Sequence, residues 1–335
     1  MMISASCPGK IILFGEHAVI YDKLGIASAI DKRVFTAVKE GKKGIKITNS
    51  SYPAFELSKE SVFETLGKFK EFRERQDLES IRRLDFKDAF SVVIGEVLEK
   101  CGYRDLDIRI ERENLKNIGH SAAIFASIVL AVSKYLGTDF SKKEISDIAY
   151  LGEVIAHGGI PSGIDNNTVT YGGFLSYKKS EGIKPLKINF GMPMIIVDSG
   201  EDSNTKETVS YVAKLKEEKP DFVDPILAKL NEISIVALDA LKEQNLQKIG
   251  NLMIEYYKDL RKLNISTNKL DKIIQIASEN GCWAKPTGGW GGGLCITLAE
   301  NQKKIENLIE IYKKNNFRCH LTKLGVEGVR IESQI

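Results

Sequence analysis

A chain of 335 residues exceeds one ordinary core and suits two domains. Apolar residues at 43% and charged residues at 28% describe a soluble globular protein. The balance of 48 basic against 45 acidic residues, a formal net charge of +3, gives no general pull toward nucleic acid or membrane. Five scattered cysteines (Cys7, Cys101, Cys282, Cys295, Cys319) without C-x-x-C spacing argue against a disulfide framework or zinc site and fit a reducing cytosol. No signal peptide is expected, since no basic segment precedes a long apolar one, and nothing approaches a membrane-spanning length.

In chain order, Ile11 to Phe14 reads as a buried strand feeding a loop at Gly15. Further strands are expected at Ile26 to Ile30, Val34 to Val38 and Ile45 to Thr48, then helices between about 58 and 100. Leu106 to Ile110 alternates as a half-buried strand, and Ser121 to Leu136 is an apolar helix. Lys143 to Ala156 forms another helix closed by Gly158-Gly159 and Pro161. A strand pair turning at Gly172-Gly173 is expected over Thr168 to Tyr177, and Met194 to Val197 is a buried strand. A mainly helical stretch covers about 205 to 280; after it come a strand at 294–298, an amphipathic helix over Gln302 to Asn315, and strands near 318–321 and 328–331. No internal repeat is visible. A domain boundary near 188/189 divides the chain into 1–188 and 189–335.

The compact run Lys285-Pro286-Thr287-Gly288-Gly289-Trp290-Gly291-Gly292-Gly293 stands out. Each glycine inside regular structure costs roughly 0.5–1 kcal/mol against alanine, so such a cluster needs a reason. Close approach of bare backbone N–H groups to an anion such as phosphate is a common one; a tight turn before a strand is the plainer alternative. Near the N-terminus, Pro8-Gly9-Lys10 precedes the first strand and Gly15-Glu16-His17-Ala18-Val19 follows it. Taken singly, Lys10 is more often a surface lysine and His17 a packed imidazole.

These segments, with Ala29-Ile30-Asp31, resemble the first signature of the GHMP small-molecule kinases, in their mevalonate kinase branch. Glu153, Pro161-Ser162-Gly163-Ile164-Asp165-Asn166 and Tyr171-Gly172-Gly173 are similar to the segment carrying that family's catalytic aspartate. Leu263 to Thr267 with Leu270-Asp271 resembles the approach to the last motif, which the glycine run itself resembles. The resemblance implies an α+β, two-domain GHMP kinase fold. Its N-terminal domain would be ribosomal protein S5 domain 2-like, with a left-handed βαβ crossover against the usual rule, and its C-terminal domain ferredoxin-like. It further implies ATP and Mg²⁺ as cofactors and a mevalonate-type small-molecule substrate; from the charge balance no nucleic-acid or membrane partner is expected. A homodimer is suggested only by the family.

Phosphoryl transfer to an alcohol needs a cation near the transferring phosphate and an oriented hydroxyl. The resemblance assigns Asp165 as the base or hydroxyl-orienting carboxylate and Lys10 as the catalytic ammonium. Glu153 and Ser121 would hold Mg²⁺, for which oxygen ligands suit. Gly119, His120, Ser121, Ala122, Gly288, Gly291 and Gly292 would cradle the nucleotide, and Glu16, His17, His120, Asp165 and Thr287 would face the acceptor. Alone, Asp165 in Ser-Gly-Ile-Asp-Asn would read as a turn-former.

The middle signature departs from the family's glycine-rich pattern ending Gly-Ser-Ser-Ala-Ala. Here Glu113-Asn114-Leu115-Lys116-Asn117-Ile118-Gly119-His120-Ser121-Ala122-Ala123 places Leu115 and Asn117 at glycine positions and His120 at the first serine. Trp290 similarly fills a glycine position in the last motif. Three readings follow: a mevalonate 5-kinase with a drifted loop; a pocket rebuilt for mevalonate 3-phosphate, with His120 or Lys116 as added donors, as in a modified archaeal pathway; or a catalytically inactive binding protein. Retention of Lys10, Glu16, Asp165 and the last glycine run argues against the third, and loss of the loop glycines tilts the first two slightly toward the phosphorylated acceptor.

Overall fold

Apolar alternation and capping residues set the elements of the computed structural model, which describes all residues except 51, 113, 114, 116, 160, 189, 190, 192, 193, 204 and 335. The chain opens with β1 (Met2–Phe14), a short turn of 3-10 helix (Ala18–Tyr21), β2 (Gly25–Glu40), β3 (Ile45–Asn49) and β4 (Tyr52–Leu57). Helices α1 (Lys59–Glu74), α2 (Leu78–Arg83) and α3 (Phe86–Cys101) follow, started by the side chains of Ser58, Asp77 and Asp85. Next come β5 (Leu106–Arg112), α4 (His120–Tyr135), α5 (Lys142–Ala156) and α6 (Ile164–Tyr171). Then β6 (Phe174–Lys178), β7 (Gly182–Leu186), β8 (Met194–Asp198), α7 (Thr205–Glu218), α8 (Pro220–Lys242) and α9 (Leu246–Arg261). The chain continues with α10 (Asn268–Glu279), β9 (Trp283–Thr287), β10 (Leu294–Leu298), α11 (Gln302–Lys314), β11 (Arg318–Thr322) and β12 (Arg330–Gln334).

Two compact units result, each assembled from separated stretches: Met1–Lys10, Lys32–Gly172 and Glu327–Ile335 in the first, Ile11–Asp31 and Gly173–Val326 in the second. For the two family domains we propose a division at 188/189 along the chain.

In the first unit the strand order is β12-β1-β2-β5-β3-β4. β3 runs parallel to β5, Ile45 opposite Leu106, while β2 runs antiparallel to it, Val34 opposite Arg112. On β5, Leu106, Ile108 and Ile110 are buried and Arg109 and Glu111 exposed, the period-two pattern of a sheet with one covered face. Helices α3, α4 and α5 pack in the same core, where the Phe90 ring meets Phe55, Phe86 and Phe125 edge-on. Full burial of the Phe90 and Phe125 rings contributes about 1.5–3 kcal/mol each. Capping boxes, Asp85 with Asp88 and Ser141 with Glu144, fix where α3 and α5 begin.

In the second unit β6 pairs with the start of β2 and with β7. The other sheet is fully antiparallel in the order β11-β8-β10-β9, the ferredoxin-like arrangement. Tyr312 of α11 is buried there, donating its hydroxyl to Ile273 O at 2.9 Å.

Two expectations are corrected. The strands at 26–30 and 34–38 are one strand, β2, because Asp31 and Arg33 bridge the polar middle without breaking it. Asp31 Oδ1 accepts from Thr322 and from Lys323 N. Arg33 donates to Ser6 and to the carbonyls of residues 327 and 328. Secondly, residues 168–171 are not strand: α6 runs to Tyr171 and only then does Gly172-Gly173 turn the chain into β6. Thr168, β-branched and strand-like in isolation, instead donates its hydroxyl to Ile164 O within the helix.

Candidate active site

In the first unit the predicted catalytic pair meets. Lys10 is held at the backbone by donation of its N–H to Ile118 O (2.8 Å), and its Nζ lies 2.8 Å from Asp165 Oδ1. The lysine stem runs over Gly119, where a Cβ would stand 2.9 Å from Lys10 Cγ and where φ is +72°. Only glycine satisfies both conditions comfortably. Asp165 lies in the first turn of α6, entered through left-handed Gly163. Asn166 anchors that turn by donating to Ser146 O and Oγ on α5.

Glu153, in the last turn of α5, is 1% exposed. His157, the C-cap of that helix, places Nε2 3.2 Å from Glu153 Oε2, and this hydrogen bond raises the imidazole pKa above its ordinary value. Glu153 Oε1 is buried with no hydrogen-bond partner among the described residues. Glu153, His157 and Asp165 offer ligand atoms within 4.8 Å of one another, a group that could hold a cation.

His120, Ser121 and Ala122 form the first turn of α4, after left-handed Gly119. The first N–H groups of a helix have no partner within it, which favours an anion there. His120 Nδ1 is 2.6 Å from Arg112 Nη1. Since a guanidinium only donates, Nδ1 accepts and Nε2 carries the proton; that N–H is buried without a partner among the described residues. Burial first, then the Arg112 charge, lowers the imidazole to about 4, so it is neutral at pH 7. Lys116, with Glu113 and Asn114, lies outside the described residues.

The second unit collects the other predicted residues. Glu16 and Lys285 form an ion pair with both side chains fully buried, and Lys285 also donates to Pro286 O at 2.9 Å. Desolvation lowers the lysine pKa against the pull of Glu16. The Tyr256 ring faces Lys285 Nζ at 5.4 Å, while its hydroxyl donates to Glu16 O and accepts from Gly15 N, each at 3.0 Å. Thr287 Oγ1 donates to Ile12 O (2.9 Å) and accepts from Ile12 N (3.2 Å), tying β9 to β1. His17 donates Nε2–H to Gly289 O at 3.0 Å; burial lowers it to about 4, with that bond opposing.

The glycine run closes the β9–β10 hairpin, whose register places Thr287 opposite Leu294. Gly288, Gly291, Gly292 and Gly293 all have positive φ, and so does Trp290 at 64°. Gly288 has open space where a Cβ would stand, whereas Gly291 and Gly292 meet Thr208 and Glu201 at 2.9 Å. Gly291 N donates to Ile265 O and Gly293 N to Glu201 O, so the 263–267 segment and the turn after β8 both brace the loop. Trp290 is fully buried against Tyr257, ring centroids 5.8 Å apart.

Each unit thus brings its own predicted residues together: Lys10, Asp165, Glu153 and the α4 start in one; Glu16, His17, Thr287 and the glycine run in the other. The sequence reading gave no role to His157, Arg112 or Lys285. The Glu-x-x-x-His spacing on a helix was the available signal for His157.

Two family models match the chain. Residues 89–173 match the GHMP kinases N terminal domain and residues 237–318 the GHMP kinases C terminal domain. Mevalonate kinase of Pyrococcus furiosus is 32% identical over 353 residues, covering 100% of both chains. That of Saccharolobus solfataricus is 30% identical over 97% of this chain and 98% of its own. The crystal structure of the Methanococcus jannaschii mevalonate kinase superposes with a TM-score of 0.78 at 27% identity, covering 97% of this chain and 98% of that one. The family matches and the full-length relatives make the chain an ATP-dependent small-molecule kinase. The chain belongs to the GHMP kinase family, and within it is mevalonate kinase-like. Among the described residues no helix is long and apolar enough to cross a membrane.

Proposed function

We propose that the chain transfers the terminal phosphoryl group of ATP to the 5-hydroxyl of mevalonate. The observation that carries this is the Lys10–Asp165 pair at 2.8 Å. A carboxylate there can orient the attacking hydroxyl and accept its proton, while the adjacent ammonium offsets charge growing on the transferring phosphoryl oxygens. Full-length similarity to mevalonate kinases supports the acceptor class.

In this reading Gly119, His120, Ser121 and Ala122 hold nucleotide phosphate in the first unit; in the second, Gly288 and Gly292 are proposed nucleotide contacts and Gly291, its N–H taken by Ile265 O, shapes the loop. Thr287 serves the acceptor by fixing β1 against β9, Glu16 by holding the turn after β1 to Lys285 of β9, and His17 by fixing the loop at Gly289. Glu153 and Ser121 would hold Mg²⁺. The buried, unpartnered Oε1 of Glu153 fits such an ion, which when bound offsets phosphate charge.

One observation favours a second reading, mevalonate 3-phosphate as acceptor. The Arg112–His120 pair presents a buried N–H donor where the family has a serine hydroxyl. ATP consumption measured with mevalonate and with mevalonate 3-phosphate side by side, the product located by phosphorus NMR, tests both. Turnover of neither acceptor would end the proposal.

A further inference from the structure

The end of α5 holds a buried carboxylate whose two oxygens are treated differently. Glu153 is 1% exposed, and a carboxylate is costly to bury unless its charge and lone pairs are met. Oε2 is met by His157 Nε2 at 3.2 Å; Oε1 has no partner among the described residues. A second carboxylate, Asp165, lies within 4.8 Å and is already engaged by Lys10. One buried, unsatisfied acceptor beside a second carboxylate is an arrangement that a small divalent cation completes.

The helix explains why His157 is the partner. Residues four apart share a face, and the C-cap position lets the ring fold back on the last turn while half its surface stays exposed. A nitrogen that donates its proton to Oε2 has no lone pair left for a metal, and a hard cation prefers oxygen to imidazole. The ring's geometry therefore suits an outer partner that orients a ligand, as metal-site carboxylates commonly have.

We propose that His157 is a positioning residue: its Nε2–H holds Glu153 Oε2 and so presents Oε1 as the ligand for a divalent cation beside Asp165. This rests on the reading of Glu153 as a cation ligand. The alternative is a purely structural role, a basic side chain at a helix C-terminus.

The test titrates the full chain with Mn²⁺ alone, following free ion by EPR. Glu153→Gln should abolish the site. His157→Ala should weaken Mn²⁺ about 10–100-fold, with unchanged thermal melting in metal-free buffer. His157→Gln, whose amide can donate from a similar reach, should recover most of the loss. If His157→Ala binds like the wild type while Glu153→Gln does not, the positioning role fails and the site stands. If the wild type does not bind Mn²⁺, or Glu153→Gln binds as well, the underlying site reading fails. Failure of His157→Gln to rescue removes the donor role. Nitrogen modulation from bound Mn²⁺ that vanishes in His157→Ala would make His157 a direct ligand and overturn the proposal.

Discussion

Lys10 Nζ reaches Asp165 Oδ1 at 2.8 Å, joining the first strand to a helix from mid-chain with both side chains mostly shielded from water. Replacing the carboxylate while keeping its shape separates chemistry from packing. Asp165→Asn should lower turnover on the order of 10²–10⁴-fold with the fold intact by circular dichroism. Near-normal turnover would remove Asp165 from the mechanism.

Gly119 bears on the same pair from the other side. Gly119→Ala would force an L-residue into left-handed backbone at about 1–2 kcal/mol and push the new methyl against the Lys10 stem. The expected result is a loss of turnover of at least ten-fold, larger than the modest fall in melting temperature implies. Wild-type kcat in this variant would show that the lysine's path is not critical.

The Glu16–Lys285 pair governs stability. Lys285→Met leaves a buried carboxylate without its ammonium, expected to destabilise by about 3–5 kcal/mol in urea unfolding. Adding Glu16→Gln should restore part of the loss. A single-variant cost below about 1 kcal/mol would mean that the pair behaves like an exposed one.

His17 should make stability depend on pH. Its folded pKa, held near 4 by burial, lies below the ordinary 6.5, so the unfolded chain binds the proton more tightly. Its contribution is complete above about pH 6.5 and falls as pH drops toward 4, by about 3 kcal/mol in all. Protonation would also put a second N–H on Nδ1, which is buried without a partner among the described residues. His17→Asn, compatible with φ of 60°, should flatten this slope in denaturation curves collected from pH 4 to 7. An unchanged slope would assign the dependence elsewhere.

His120 tests acceptor choice. His120→Ser should shift the ratio of kcat/KM toward mevalonate and away from the 3-phosphate if the imidazole N–H contacts that group. An unchanged ratio would leave the Arg112–His120 pair with the nucleotide or with packing alone.

Much of the architecture was legible because it rests on local pattern. The alternation of Leu106, Ile108 and Ile110 and the apolar density of 121–136 named β5 and α4 directly. Thr168 misled because strand preference reflects packing on a sheet, and here the hydroxyl turned back to a helical carbonyl. The proximity of Lys10 to Asp165 came from the family resemblance, since no spacing in the chain specifies a contact so distant in sequence. The Arg112 contact to His120 was invisible for the same reason: nothing about an arginine at a strand end reveals which ring nitrogen it will meet. His157 was readable from its spacing to Glu153, yet the burial that gives the pair meaning appears only once α5 is packed.

The chain has two tryptophans, and both sit in one short stretch: Trp283 begins β9, with its indole N–H on Asn251 Oδ1 at 3.2 Å, and Trp290 lies in the loop that β9 feeds. Fluorescence excited where only tryptophan absorbs is therefore a signal from this hairpin, even though the chain also carries eleven tyrosines. A nucleotide bound at the glycine run, as proposed, would change the emission colour or intensity, so occupancy could then be followed without any attached dye.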